Sequence, residues 1–183
     1  MTTDTIAIET EATDTITEVP MRILKVANCL SLSGRSTLGY AIGCDESNAI
    51  HLSLRSNSAA GMFSKNWVAF LDIAEALVRA DRVTSFKLAE VYPSTSRNNP
   101  GFMLAVLLEE GLVCPLDRHY MRQDFKPFQQ HINALIDAGV DLGDADEALE
   151  ALQDCESDTA VEVPEVDVVE VPAVKRGRPS KRA

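Results

Sequence analysis

The sequence has no apolar run long enough to cross a membrane, since the longest uninterrupted one spans only Phe102 to Leu108. A membrane-spanning helix needs about 20 apolar residues. The first twenty residues hold five acids and no base, whereas a secretory signal begins with basic residues. We therefore expect a protein with neither a membrane span nor a signal peptide.

Cysteine and histidine are both scarce. The four cysteines, Cys29, Cys44, Cys114 and Cys155, stand far apart and form no C-x-x-C pair. This spacing argues against a disulfide framework or a zinc ribbon and predicts free thiols in a reducing cytoplasm. With only three histidines in the chain, no Ser/His/Asp set, carboxylate pair or metal-ligand spacing can be singled out. We expect no enzyme active site, no metal and no cofactor.

Basic residues are in the minority, 17 against 28 acids, and the net charge is −11. Such an acidic average normally speaks against a nucleic-acid-binding protein, but here the charge is uneven. Residues 21–140 hold 11 acids and 12 bases, residues 141–174 hold 12 acids and no base, and residues 175–183 hold five bases and no acid. The sequence predicts a near-neutral body between acidic arms, with a basic C-terminal tail.

The two arms differ from the body in composition. Residues 1–20 mix Thr and Ile with acids and hold no aromatic residue, so they bury too little surface to offset the entropy of ordering. We expect a disordered arm there, with a strand that docks on a partner as the alternative. Residues 141–174 end in Val alternating with acids, and Pro164 and Pro172 remove strand hydrogen-bond donors. This pattern predicts an extended, disordered linker.

The body, residues 21–140, begins with a pattern typical of strands. Apolar residues alternate with small or polar ones over Arg22–Asn28, Thr37–Gly43 and Asn48–Arg55, and a turn at Asp45–Asn48 joins the last two. We expect a small antiparallel sheet with one buried face.

Helical periodicity follows. Ser64 is the expected cap of a helix reaching about Ala80, with further helices over Ser85–Val91, Gly101–Glu110 and Pro127–Ala138. The apolar stripe of the first helix comprises Trp67, Phe70, Leu71, Ile73, Ala74, Leu77 and Val78. Short strands are expected over Leu112–Cys114 and His119–Arg122. The predicted fold class is α+β.

The order helix, short helix, turn, helix and charged hairpin over Trp67–Arg122 resembles the winged-helix domains of bacterial regulators. Its most specific piece is Leu107–Val113, a helix stopped by Gly111 that leads into a strand. The resemblance implies a winged-helix-like part over about residues 65–123. The third helix of that family enters the DNA major groove, but here it is mostly apolar and ends in two acids. The body is therefore expected to provide partner contact, dimerisation or a secondary DNA contact through Arg97, Arg118 and Arg122.

The C-terminal residues read Lys-Arg-Gly-Arg-Pro-Ser-Lys-Arg, from Lys175 to Arg182. This segment, the hook tail, resembles the AT-hook, a short peptide that binds the minor groove of A·T-rich DNA. Its Arg-Gly-Arg-Pro core with flanking bases defines that family. Ser180 stands where a basic residue often follows the proline. The residues that the resemblance assigns to DNA binding are Lys175, Arg176, Gly177, Arg178, Pro179, Lys181 and Arg182.

The physical reason for this pattern is the shape of the A·T minor groove, which is narrow and carries a focused negative potential that attracts arginine. Gly177 lets the backbone approach the groove floor, where Arg176 and Arg178 reach the A·T acceptors. The guanine amino group would project into the same space and disfavour G·C pairs. Pro179 biases Arg178 toward an extended conformation. The alternatives for the hook tail are an idle basic tail, a nuclear-import signal or an RNA-binding tract.

These observations predict a non-enzymatic DNA-binding accessory or regulatory protein of the bacterial or phage type, cytoplasmic and associated with the nucleoid. Five cations give a log–log salt slope of at most about −4.5, so a useful affinity needs a second contact or several copies. The partners expected are A·T-rich double-stranded DNA and a second copy or protein partner. The alternative is an acidic interaction or inhibitor protein that mimics nucleic acid.

Overall fold

The structure is a computed structural model that describes residues 20–92 and 96–157, without the side chains of residues 155–157. The strands are Arg22–Leu30 (β1), Thr37–Cys44 (β2), Ile50–Asn57 (β3), Val68–Ala69 (β4), Val113–Leu116 (β5) and His119–Arg122 (β6). The helices are Phe70–Arg79 (α1), Ser85–Leu88 (α2), Asn99–Glu109 (α3), Lys126–Asp137 (α4) and Ala145–Ser157 (α5), and a 3-10 turn, Ala89–Val91, follows α2. The fold is α+β, as predicted.

The first four strands form one antiparallel sheet in the order β1-β2-β3-β4. The three long strands and the turn between β2 and β3 were predicted from the alternation of their residues, and the structure confirms them. In that turn the Asp45 carboxylate accepts hydrogen bonds from the backbone N–H groups of Ser47 and Ala49. Asn48 has a φ of 62°, which asparagine tolerates better than most residues.

The helix expected to begin at Ser64 begins at Phe70 instead, and this part of the prediction was wrong. The amide of Asn99 holds Ser64 from both sides, accepting from the Ser64 N–H and donating to the Ser64 carbonyl at 2.9 Å each. Val68 and Ala69 then pair with Leu52 and His51 of β3. Because these partners keep residues 64–69 extended, the helix starts only after β4.

The core between the sheet and the helices is centred on α3. Seven of the eleven residues of α3 are buried, namely Asn99, Pro100, Met103, Leu104, Ala105, Val106 and Leu107. A helix that is apolar around most of its circumference is typical of a core position. It ends where Gly111 takes a φ of 69°, and the Leu112 N–H donates to the Leu107 carbonyl at 2.9 Å.

The hairpin of β5 and β6 is present as predicted, and a short bridge fixes it to the helices. The N–H of Val83 donates to the carbonyl of Tyr120 at 2.9 Å, and the N–H of Tyr120 donates back to Val83 at 3.1 Å. Val83 is buried and lies between α1 and α2. The hairpin is therefore held against the region between α1 and α2.

The acidic segment expected to be a linker contains α5, so the prediction of an extended linker over 141–174 was wrong for Ala145–Ser157. Asp144 caps the helix, because its carboxylate accepts from the N–H groups of Asp146 and Glu147 at 2.8 and 3.0 Å. These hydrogen bonds, with the nearby charges of Arg55 and Lys65, lower the pKa of Asp144. Lys65 also forms an ion pair with Asp146 at 2.6 Å.

Helix α5 covers the second face of the sheet, so the expectation of a single buried face was also wrong. Ala145 lies in a buried cluster with Ile23 and Ala41, against which Trp67 packs. Leu149 is 3% exposed. A Cβ added to Gly39 of β2 would lie 2.3 Å from the Leu149 side chain, so the glycine allows this close approach. The folded body therefore extends past residue 140 and includes α5.

Residues 1–19 and 158–183 are not among the described residues. The arm predicted to be disordered, residues 1–20, lies outside the described residues except for Pro20. The hook tail also lies outside them. Within the described ranges, no helix has the length and apolar character needed to span a bilayer.

We expect Leu149→Ala to lower the free energy of unfolding by about 2–4 kcal/mol, because it leaves a cavity between α5 and the sheet. Urea denaturation measures this change. The control is Glu150→Ala on the exposed side of the same helix, which should change stability by less than about 0.5 kcal/mol. Equal effects of the two substitutions would contradict the docking of α5.

Candidate functional site

The predicted primary site, the hook tail with Lys175, Arg176, Gly177, Arg178, Pro179, Lys181 and Arg182, lies outside the described residues. The structure describes the chain before it as far as Ser157, in α5. Because α5 reaches Ser157, only 17 residues separate it from Lys175. At about 3.5 Å per residue this connection spans at most about 60 Å. The connection is half as long as the 34 residues expected from 141–174.

Two of the predicted secondary contacts, Arg118 and Arg122, lie on the β5–β6 hairpin, and both are exposed. Arg118 follows Asp117, which has a φ of 51° in the turn. The Arg122 guanidinium lies over the ring of Phe125, 5.6 Å from its centroid. The hairpin therefore presents two cations to solvent.

The structure adds Arg82, which the sequence did not reveal, and places it beside His119 of the predicted hairpin strand. Arg82 Nη1 lies 3.2 Å from His119 Nε2, because the Val83–Tyr120 bridge holds the α1–α2 connection beside the hairpin. We call Arg82, Arg118, His119 and Arg122 the hairpin cluster. No local pattern joins residues 37 positions apart, so only the fold could identify this neighbourhood.

The third predicted contact, Arg97, lies elsewhere. It is exposed in the turn before α3, where the side chains of Ser96 and Asn98 donate to the carbonyl of Met62. Within residues 20–92 and 96–157, no hydrogen bond or ion pair joins Arg97 to the hairpin cluster. The described contacts thus do not bring the three predicted arginines together.

Helix α3 presents no DNA-reading surface. Met103, Val106 and Leu107 are completely buried, and the exposed residue near its end is the acid Glu109. A helix enclosed in the core cannot enter a major groove of about 12 Å width. The sequence showed that this helix lacks the polar and basic residues of a DNA-reading helix. The structure shows that it is also buried.

An apolar groove opens on the outer side of α1. Its volume is about 320 Å³, and it is lined by Leu71, Ala74, Glu75, Val78, Arg79 and Phe125; we call it the α1 groove. Leu71 and Val78 are 67% and 61% exposed, whereas Phe70, Ile73 and Leu77 from the same predicted stripe are buried. The apolar stripe seen in the sequence is thus divided between the core and the surface. Contiguous exposed apolar side chains are typical of contact surfaces.

The one strongly buried carboxylate described in an ion pair is Glu110, whose side chain is 6% exposed. It accepts hydrogen bonds from Lys25 Nζ at 2.6 Å and from the Tyr40 hydroxyl. Burial and the bond to Glu110 raise the pKa of Tyr40 far above its usual value. This cluster joins the end of α3 to β1 and β2, which is a structural role.

The thiol of Cys29 is buried near the carboxylates of Glu109 and Glu110, and this environment favours its protonated form. Burial, followed by the negative charges of Glu109 and Glu110, raises the pKa of the thiol from 9.0 to about 12. The thiolate is the reactive form of cysteine, so Cys29 is a poor nucleophile at neutral pH. Among the described residues, no group of three or more His, Cys, Asp and Glu side chains is placed to hold a metal ion.

Comparison with known proteins gives no relative for the chain. No protein-family model, no curated protein and no solved structure matches it. The functional assignment therefore rests on the residues themselves: the hook tail, the hairpin cluster and the α1 groove.

We expect the free energy of unfolding to fall as the pH rises from about 9 to about 12. Folding favours the protonated forms of Cys29 and Tyr40, so their contribution is complete below the unfolded pKa values and is lost as the pH passes the raised ones. Urea titrations across this range measure the slope. Cys29→Ala should flatten it, while Cys114→Ala, on a partly exposed thiol, serves as the control. An unchanged slope in Cys29→Ala would be inconsistent with this explanation.

Proposed function

We propose that this protein is a DNA-binding accessory or regulatory protein that grips the minor groove of A·T-rich DNA with its hook tail. The observation that carries the proposal is the Arg-Gly-Arg-Pro sequence of Arg176–Pro179 between flanking bases. Two arginines separated by a glycine suit a narrow groove, because the glycine lets the backbone approach the groove floor. Both guanidinium groups can then contact the base edges there. The protein needs no catalytic residue or cofactor for this role.

The charge around the hook tail favours selectivity over general attraction. Residues 158–174 hold five acids and no base, and residues 175–183 hold five bases and no acid. The two sets carry equal and opposite formal charge, and salt screens interactions beyond the Debye length of about 8 Å. Binding then depends on the short-range fit of Arg176, Gly177 and Arg178 in the groove.

The folded body supports the proposal by offering a second contact. The hairpin cluster places Arg82, Arg118 and Arg122 on an exposed surface, and the connection of at most about 60 Å lets them reach DNA while the hook tail is bound. Linking two weak contacts raises the overall affinity without strengthening either one. A second copy held through the α1 groove would act in the same way.

The direct test is fluorescence anisotropy on A·T-rich and G·C-rich duplexes over a salt series. We expect the full chain to prefer A·T. The hook tail contributes a log–log salt slope of at most about −4.5, and each phosphate contact made by the folded body adds about 0.9 to its magnitude. A chain ending at Val174 should lose the preference. If the full chain binds neither duplex, or both equally, the proposal is wrong.

A charge-matched variant separates a groove-binding hook from an idle basic tail. Gly177→Val keeps all five cations but places a branched side chain between the arginines, which blocks approach to the groove floor. We expect the A·T preference to fall at least tenfold in the same assay while weak binding to both duplexes persists. The control Ser180→Val introduces the same branched side chain outside the Arg-Gly-Arg-Pro core, and the A·T preference of this variant should remain.

The contribution of the hairpin cluster has its own signature. If Arg118 and Arg122 contact phosphates, replacing both with Ala should reduce the magnitude of the salt slope by about 1.8, since each phosphate contact contributes about 0.9. Affinity should fall on both duplexes without changing their ratio, because phosphate contacts carry no sequence information. Arg35→Ala, an exposed arginine in the β1–β2 turn, is the control. An unchanged salt slope in the double variant would show that Arg118 and Arg122 do not contact phosphates.

A second candidate function is an interaction or inhibitor protein that mimics nucleic acid. Two features favour it: the α1 groove, and the spacing of Glu147, Glu150 and Asp154, which lie on one exposed side of α5. Under this function neither the full chain nor the chain ending at Val174 shows A·T-preferring binding. The same anisotropy series therefore distinguishes the two functions.

A further inference from the structure

Strand β1 is at the edge of the four-stranded sheet, and only one of its sides pairs with β2. On the other side, the described residues make a single backbone hydrogen bond, from the Leu142 N–H to the Ile23 carbonyl at 2.9 Å. From Lys25 to Leu30 the outer edge has no backbone partner within residues 20–92 and 96–157. Open edges of this kind pair readily with another strand.

The register identifies the backbone groups that face outward. The Ser31 N–H donates to the Ser36 carbonyl at 2.8 Å, so Ser31 directs its N–H toward the β2 side. The pairing then runs without a shift from Leu30↔Thr37 to Lys25↔Ile42. Because successive residues of a strand direct their N–H and C=O groups to opposite sides, the groups of Leu30, Asn28 and Val26 face away from β2.

Strand β1 also holds one buried polar atom without a hydrogen-bond partner and one exposed apolar side chain. Asn28 Oδ1 is buried without a hydrogen-bond partner among the described residues, which costs about 1–3 kcal/mol for a polar group removed from water. Leu30 is 65% exposed at the end of the strand. A further strand along Val26–Leu30 would offer donors to the edge and cover part of Leu30.

We propose that residues Ile6–Glu11 of this chain add to the outer edge of β1 as an antiparallel strand. Their sequence alternates Ile6, Ile8 and Thr10 with Ala7, Glu9 and Glu11, and β-branched residues are favoured in strands. The segment leads directly into β1 along the chain. Ten residues, Ala12–Met21, remain for the connection, enough to pass Leu142 and return antiparallel, whereas a parallel arrangement needs a longer crossover.

The covalent connection favours this segment over a second copy of β1. Ten residues hold Ile6–Glu11 close to the edge at any protein concentration, whereas a second copy must be recruited from solution. The charges agree with this choice: residues 1–20 hold five acids and no base, and β1 holds no acid. Of its two cations, Lys25 is already in an ion pair with Glu110, which leaves Arg22 beside the connection.

Residue-resolved hydrogen exchange of the full chain tests the proposal. We expect the amides of Val26, Asn28 and Leu30 to be protected, and to the same extent at low and high protein concentration. In Ile8→Pro/Glu9→Pro, one of the two prolines must fall at a position that donates to β1, because adjacent residues face opposite sides. Exchange of the three amides should then accelerate at least tenfold.

Two controls make this result specific. Lys25, Ala27 and Cys29 donate toward β2, so their amide exchange should remain slow in the proline variant and shows that the sheet is intact. Ile8→Ala/Glu9→Ala removes the same side chains and charge but keeps both N–H groups, and should leave the three outer amides protected.

Three outcomes would overturn the proposal. One is fast exchange of the outer amides in the unaltered chain. Another is protection that the proline variant retains. The third is protection that grows with protein concentration, which identifies a second copy as the occupant of the edge.

Discussion

The burial of β2 on both faces is the constraint on which the rest of the structure depends. Seven of its eight residues are buried, with α3 and its neighbours on one side and α5 on the other. A small sheet with a single covered face would leave Ala41, Ile23 and the glycine surface of Gly39 in water. Helix α5 removes this apolar surface from solvent, and in doing so sets the point from which the acidic segment and the hook tail depart.

The same packing determines which surfaces remain for binding. In the winged-helix domains that the sequence resembles, the third helix reads DNA, whereas α3 is enclosed by the sheet and the other helices. Glu110 at its end is tied to Lys25 and Tyr40, so the helix is fixed to the sheet by a buried polar cluster as well as by apolar contacts. The hairpin cluster, the α1 groove and the tail remain as the surfaces for the contacts proposed above.

Strands β1 to β3, α2, α3, the hairpin and α4 were all predicted close to their observed bounds, because their residue periodicity and turn residues act locally. The start of α1 was not, because it depends on Asn99, 35 residues away from Ser64. Helix α5 was missed for a related reason. Its acids favour an extended chain, and Ala145 and Leu149 form an apolar stripe that stabilises a helix only once the sheet is present to receive it.

The sequence by itself determined the α+β class, the charge layout and the hook tail, since each follows from composition or from neighbouring residues. It also provided Arg97, Arg118 and Arg122 as candidates and predicted the hairpin that carries the latter two. Tertiary structure alone decided that α5 closes the sheet, that Leu71 and Val78 face solvent, and that Arg82 meets His119. These features depend on contacts between residues far apart in the chain, and no local pattern encodes which face of an element another one will cover.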